Sequence, residues 1–272
     1  FIFAYRNDTK YAEDVADAIQ YINKSKLEEN RQSMNRVLVH DGFFAETFPV
    51  YDVDSKRMKI VELPEGIGEL SEEFEFNFEN TGVMKDGVVY TTKTMPKYEG
   101  NVTTLGDIME KEEVDKKYFI PKEKLYYTNP NITHSDETHG KLPKEERQTW
   151  QYIKGAKKLA RKSSGGHEYI FSEGAIPMVD DEDKPARTML TSEGGFNRST
   201  HIVKDKKTGN IRLLTAGETE RIQGFPTDHT KYCLVNGETV EMPLNKRRFM
   251  MGNALVVNLI ADMEETLDKI FE

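Results

Sequence analysis

The 272 residues contain a single cysteine, Cys233, which excludes an intramolecular disulfide framework and makes the cytoplasm the default compartment. No apolar run approaches the ~18 residues of a membrane-spanning helix, so no membrane partner is expected. The chain opens on Phe1-Ile2-Phe3-Ala4-Tyr5, without an initiator methionine or the charged segment and cleavage site of a secretory leader. It reads as a strand cut from a longer polypeptide. Neither a phosphate-binding glycine loop nor a G-x-G-x-x-G fingerprint occurs. Histidines are few, six in all. His134 and His139, with Asp136 between them, have an i, i+5 spacing that matches no common metal geometry, so they read as solvated loop residues and no metal is expected. Cys233 lies in Tyr232-Cys233-Leu234-Val235, with no neighbouring base or helix N-terminus to lower its pKa. It reads as a small buried hydrophobe, not a nucleophile.

What is present describes a globular protein, 37% hydrophobic and 31% charged, with a net charge of −9. That balance argues against uniform coating of nucleic acid but leaves room for a local basic footprint. The charges are unevenly spread. Between Ile60 and Met84 there are seven glutamates and no lysine or arginine, whereas Lys141 to Lys162 carries eight basic residues against two acidic ones. Either stretch alone is an ordinary solvated face.

Periodicity gives a mixed α/β pattern. The apolar run Phe1 to Tyr5 fits a buried strand. Asp8 or Thr9 can cap a helix whose residues Tyr11, Val15, Ile19 and Ile22 share a face. Val37 to Val39 and Phe43 to Val53 suggest strands, and Phe74 to Phe78 alternates with period two. Turn signals follow at Lys85-Asp86-Gly87, Asn129-Pro130 and Leu142-Pro143. A helix is expected from about Glu145 to Arg161, with Trp150, Ile153 and Ala156 or Ala160 inward. It leads into the glycine-containing loop Ser163-Ser164-Gly165-Gly166-His167. Thr215 and Glu218 have capping-box spacing, and Gly224 and Pro226 stop the short helix they begin. A last helix is expected from about Leu255 to Phe271, with Val256, Ile260, Met263, Leu267 and Ile270 as its stripe.

The C-terminal third carries a resemblance. Arg212-Leu213-Leu214-Thr215-Ala216-Gly217-Glu218-Thr219-Glu220-Arg221-Ile222-Gln223-Gly224-Phe225-Pro226 resembles the R-x-L-T-x-x-E-x-x-R-x-Q-G-F-P segment of DNA cytosine-5 methyltransferases. Met251-Gly252-Asn253-Ala254-Leu255-Val256-Val257 is similar to the last signature of that family. Ala186 to Gly195 and Asn197 to His201 resemble the recognition region before the penultimate signature, and Phe1 to Asp8 the strand after its arginine-rich motif. The matches stand in the family's order around a variable middle, with residues from about 20 to 145 matching only in position.

The resemblance implies a target-recognition small domain with a β-rich, irregular core. The terminal strand and helix would belong to a Rossmann-like methyltransferase domain. Residues 1–22 would end the catalytic domain, 23–250 would form the recognition domain, and 251–272 would return to the catalytic one. The implied cofactor is S-adenosylmethionine, bordered by Gly252, Asn253, Ala254 and Leu255 at the start of the final helix, where free N–H groups suit a carboxylate. The implied partners are double-stranded DNA and an N-terminal catalytic half. Arg161, Lys162, Ser163, Ser164, Gly165, Gly166 and His167 would form a first DNA-reading loop. Gly194, Gly195 and Arg198 would form a second, and Arg187 and Thr188 stand beside it. Thr188 matches a threonine that contacts a phosphate beside the flipped cytosine. Thr215, Glu218 and Arg221 are expected to be structural.

The family's Phe-x-Gly-x-Gly loop, Pro-Cys nucleophile and Glu-Asn-Val acid are absent from these residues. Glu79-Asn80-Thr81 reads as a turn. Methylation at cytosine C5 requires a thiolate to add at C6 first, and Cys233, preceded by Tyr232, does not inherit that role. The expectation is a DNA-reading part that does not turn over alone and self-associates through exposed ends. The alternatives are a non-catalytic DNA-binding module descended from such an enzyme and, on composition only, a protein-interaction domain using the acidic stretch.

Overall fold

The computed structural model describes residues 4–6, 8–10, 12–13, 27–64, 66, 68 and 77–269. Of the expected strand Phe1–Tyr5, Ala4 and Tyr5 are described and are not in a strand; Phe1–Phe3, most of the helix through Tyr11 to Ile22 and most of the alternating Phe74–Phe78 stretch lie outside the described residues. The chain is a mixture of helices and strands in two compact units, one of Phe1–Asn101 with Asn258–Glu272, the other of Val102–Val257. The expected boundaries were 22/23 and 250/251.

In the first unit, helix α1 (Leu27–Arg36) runs directly into a π-helical turn, Val37–Asp41. A strand was expected at Val37–Val39, and the structure corrects it. Met34, Val37 and Leu38 follow helical spacing and pack with Met58, Val88 and Tyr90, so burial on one face overrides the β-propensity of the valines. Gly42 ends the turn, where a Cβ would lie 2.6 Å from the Val37 carbonyl oxygen. Phe43–Val53 is likewise mostly turns, with a single strand-like bridge from Val50 to Pro96. Strands β1 (Lys59–Glu62), β2 (Thr81–Lys85) and β3 (Val88–Thr92) form an antiparallel sheet in the order β1-β3-β2. The expected turn at Asp86-Gly87 joins β2 to β3 with both residues at positive φ, 51° and 77°, as a two-residue hairpin requires. Glu79 and Asn80 stand before β2, where the Asn80 side chain donates to Thr94 O and accepts from Thr94 N–H.

The last helix is Val257–Asp268, two residues later than expected. Met263 is buried and Ile260 and Leu267 are half-buried, but Val256 is exposed and lies before the helix.

The second unit is built from short elements. Helices α2 (Leu105–Ile108), α3 (Lys122–Leu125), α4 (His134–Thr138) and α5 (Trp150–Lys154) precede the hairpin β4 (Lys157–Lys162) and β5 (Glu168–Glu173). Then come the hairpin β6 (Ile202–Lys204) and β7 (Ile211–Leu213), helix α6 (Ala216–Ile222), the hairpin β8 (Tyr232–Val235) and β9 (Glu238–Glu241), and helix α7 (Leu244–Asn253). Leu105, Met109, Val203 and Leu214 form one apolar cluster; Leu125, Trp150 and Ile202 form another. His134 and His139 sit in and just after α4, and His139 Nδ1 lies 2.9 Å from Ser135 O.

The long helix expected over 145–161 is not there. Helix α5 stops at Gly155, which is extended, and the chain continues as β4. The partner that decides this is β5, whose Tyr169, Ile170 and Phe171 favour strands and supply the ladder. Cys233 is half-buried on the β8–β9 hairpin rather than buried.

Candidate functional site

The β4–β5 hairpin carries the first predicted DNA-reading loop at its tip. Ser163 N–H donates to His167 O at 2.8 Å, Gly166 N–H to Ser163 O at 3.0 Å, and His167 N–H to Ser163 Oγ at 3.1 Å. Gly166 has a φ of +87°, a conformation glycine adopts without steric penalty. All residues from Arg161 to Ile170 are exposed. The ribbon has two unlike faces. Lys157, Leu159 and Arg161 pair across with Glu173, Phe171 and Tyr169, whereas Lys158, Ala160 and Lys162 pair with Ser172, Ile170 and Glu168. The first face is rooted. Lys157 is buried, donating to Tyr152 O and Gly155 O, and the Arg161 guanidinium lies 3.7 Å from the Phe171 ring centroid.

The second predicted loop, with Gly194, Gly195 and Arg198, is tied to this ribbon. Arg198 makes a 2.8 Å ion pair with Glu173 at the end of β5 and donates to Gly174 O. Phe196 packs edge-on against Trp150 at 5.0 Å. Arg198 thus ties the second loop to the root of the ribbon whose far end carries the first. Arg187 forks onto both oxygens of Asp180 and also donates to Ser199 O and Thr200 O. Its donors are committed within the chain. Thr188, the next residue, is exposed.

Beneath the second loop lies a buried polar layer that sequence reading missed. Lys154 donates to Thr200 O at 2.7 Å and stands 4.0 Å from Asp180. Burial pushes the Lys154 ammonium down to about 8, against the opposing charge of Asp180. Burial also pushes Asp180 upward, but hydrogen bonds from Arg187 and Ile202 N–H, with the nearby cations, hold it below the usual range. His201 and Glu193, both buried, approach to 2.9 Å through Nδ1 and Oε2. These partners are seven to 46 residues apart, and neither helical nor strand periodicity signals such pairs.

Helix α7 supports the same loop. Gly194, at φ +76°, leaves the space taken by the Arg248 guanidinium, which a Cβ there would strike. Gly252 faces the Leu190–Thr191 backbone so closely that a Cβ would overlap it. This corrects one expectation about the residues assigned to the cofactor. Gly252 and Asn253 end α7, and Ala254 caps it, so none of these three begins the last helix. The amide N–H that does begin it, at Val257, donates to Gln223 O. The Asn253 side chain donates to Phe249 O, and Ala254 N–H to Met251 O. Asn253 and Leu255 are exposed. Those two side chains are open to a cofactor, while the space beside Gly252 is taken by the Leu190–Thr191 backbone.

The penultimate signature forms a charge cluster, buried around Arg212, Glu218 and Glu220 and partly exposed at Arg221. Thr215 and Glu218 make the expected capping box. Arg212 is fully buried and reaches Glu218 and, at 3.0 Å, Asp205. Glu220 accepts from Thr230 and Arg247, and Arg221 pairs with Glu110 at 2.7 Å. Each of these partners is inside the unit, which agrees with a structural role for Thr215, Glu218 and Arg221.

Likeness to known proteins points the same way as the signatures. The family model of C-5 cytosine-specific DNA methylases matches residues 56–269. Type II methyltransferase M.Sau3AI of Staphylococcus aureus is 35% identical over 271 residues, covering 99% of this chain and 54% of that protein. The chain thus spans about half the length of the curated relative it matches. A solved structure of the Entamoeba histolytica methyltransferase EhMeth is 10% identical, with 80% of this chain and 55% of that one covered at a TM-score of 0.32, a likeness too loose to define the architecture. With a family match over most of its residues and a relative of this identity along nearly all of them, the chain belongs to the C-5 cytosine-specific DNA methylases.

Proposed function

We propose that this chain is the DNA-reading and cofactor-bordering part of an enzyme that transfers a methyl group to cytosine C5 in duplex DNA. The observation that carries the reading is the junction at Arg198, which locks a basic, glycine-tipped ribbon to a glycine-containing loop. A loop braced against the root of the ribbon shares one support with the loop at its tip, so both can engage one DNA duplex at two points, whereas solvated loops with no such function need no common support. Lysines on the ribbon would hold phosphates, and groups at the loop tips would reach base edges. Arg187, braced by Asp180, would position the second loop, and the Thr188 hydroxyl would contact a phosphate beside an extruded cytosine.

S-adenosylmethionine would supply the methyl group. Asn253 and Leu255 would border it, while Gly252 and Ala254 would shape the turn that presents them. No residue here supplies the thiolate that cytosine activation needs. Cys233 has no preceding proline and lies half-buried on a hairpin. The chain alone would therefore bind DNA without methylating it.

The test measures DNA binding by the chain and methyl transfer from labelled S-adenosylmethionine, for the chain alone and mixed with the N-terminal half of a relative. Binding alone, with transfer only in the mixture, is the expected result. Transfer by the chain alone would refute its dependence on a second half. Binding with no transfer by a folded mixture would leave the non-catalytic DNA-binding module.

A further inference from the structure

The outer face of the β4–β5 ribbon has a pattern that packing within the chain does not explain. Lys158, Ala160, Lys162, Glu168, Ile170 and Ser172 share this face, and all six are exposed. Ile170 is 65% exposed at its centre. Its cross-strand partner is Ala160, so the small side chain opposite leaves the isoleucine standing clear of the ribbon. Lys158 and Lys162 lie on either side of Ala160 along β4. Strand propensity accounts for β-branching at this position, but a large apolar side chain left exposed between two cations buries little within the chain.

We propose that this outer face enters the major groove of duplex DNA and that Ile170 reads the methyl group of a thymine there. The inference rests on the DNA-reading function proposed above and names the contact that gives that site its specificity. A two-stranded ribbon, with strands ~4.8 Å apart, fits a groove ~12 Å wide. Lys158 and Lys162 complement the phosphates along its walls. The thymine C5-methyl is the apolar group that unmodified base pairs present in that groove, so an isoleucine on the groove face has one natural contact. Glu168, the one carboxylate on this face, sits opposite Lys162 near the tip and can accept from a cytosine amino group. Arg161 is on the other face, stacked on Phe171, so it is not one of the side chains that this face presents.

The test uses the full 272-residue chain and a duplex selected by it from a random-sequence pool, prepared with thymine or with uracil, which lacks the methyl. Wild type is expected to bind the uracil duplex about fourfold more weakly, the worth of one buried methyl group. Ile170→Ala is expected to bind both duplexes alike, at the weaker affinity, and Lys158→Ala with Lys162→Ala to weaken both equally. Ile170 is exposed, so its variant should fold, and an unchanged circular dichroism spectrum confirms it. Equal binding of the two duplexes by wild type, or retained discrimination in Ile170→Ala, would overturn the assignment while leaving DNA reading intact. No binding of any duplex by wild type, at low salt and with an unchanged fold, would overturn the DNA-reading function itself.

Discussion

Arg212 donates two hydrogen bonds to Glu218, Nη1 to Oε2 at 2.8 Å and Nη2 to Oε1 at 2.7 Å, with both side chains completely buried. Glu218 also accepts from the N–H groups of Thr215 and Glu110, so its charge is fully spoken for. Breaking one side of such a pair leaves an uncompensated buried charge. Arg212→Met or Glu218→Leu alone should destabilise the chain by about 3–5 kcal/mol. The double variant should cost much less than the two losses added. Denaturant melts of the four proteins form the cycle; simple additivity would show that the pair is not coupled.

Gly252 and Gly194 predict a link between α7 and the second loop. Leu190–Thr191 backbone, unlike a flexible side chain, cannot move aside for a Cβ at residue 252. Gly252→Ala should therefore displace the loop and lower DNA affinity by about tenfold or more, the equivalent of one good base contact. Gly194→Ala adds left-handed strain at φ +76° to a clash with Arg248, and should cost about 1–3 kcal/mol in stability. Calorimetry and DNA titration together check both. Wild-type affinity in Gly252→Ala would mean that the loop is not a reader.

Lys154 makes stability depend on pH. Its folded-state pKa of about 8 lies below the ordinary lysine value, so the unfolded chain binds more protons between the two. Stability from this group should rise as pH increases from about 8 to about 10.5, by up to roughly 1.4 kcal/mol per pH unit. Lys154→Met should flatten that rise. A melt series in which the variant keeps the wild-type slope would assign the effect elsewhere.

The basic ribbon, and not the acidic 60–84 stretch, is expected to face DNA. Lys158→Ala with Lys162→Ala should lower affinity across all sequences and reduce the salt slope by about one unit for each phosphate left without its cation. Replacing Glu62 by Gln should leave binding unchanged or strengthen it. Anisotropy titrations at several salt concentrations decide the orientation, and the reverse pattern would sink it.

Exposed apolar side chains in the second unit are candidates for self-association. Tyr232, Leu234 and Val235 on β8 are exposed, Leu234 by 74%, as are Phe249, Met250 and Leu255. Light scattering should show concentration-dependent growth in mass, reduced in Leu234→Lys. A monodisperse monomer at high concentration would show that this surface is tolerated in water.

Local rules determined what could be decided within a few residues. The Asp86-Gly87 turn, the Thr215–Glu218 box and the stop at Gly224 were legible because each depends on one backbone conformation or one short-range hydrogen bond. The family was legible for a related reason: its signatures are contiguous. Tertiary structure decided the rest. Lys157–Lys162 became a strand because β5 supplies its ladder, and Val37–Asp41 a helical turn because Met58, Val88 and Tyr90 cover one side of it. Gly252 stands in the last signature in sequence, and in the structure it makes room for the Leu190–Thr191 backbone. A glycine shows only that something comes close; what comes close is settled by residues far off along the chain, whose packing no local pattern records.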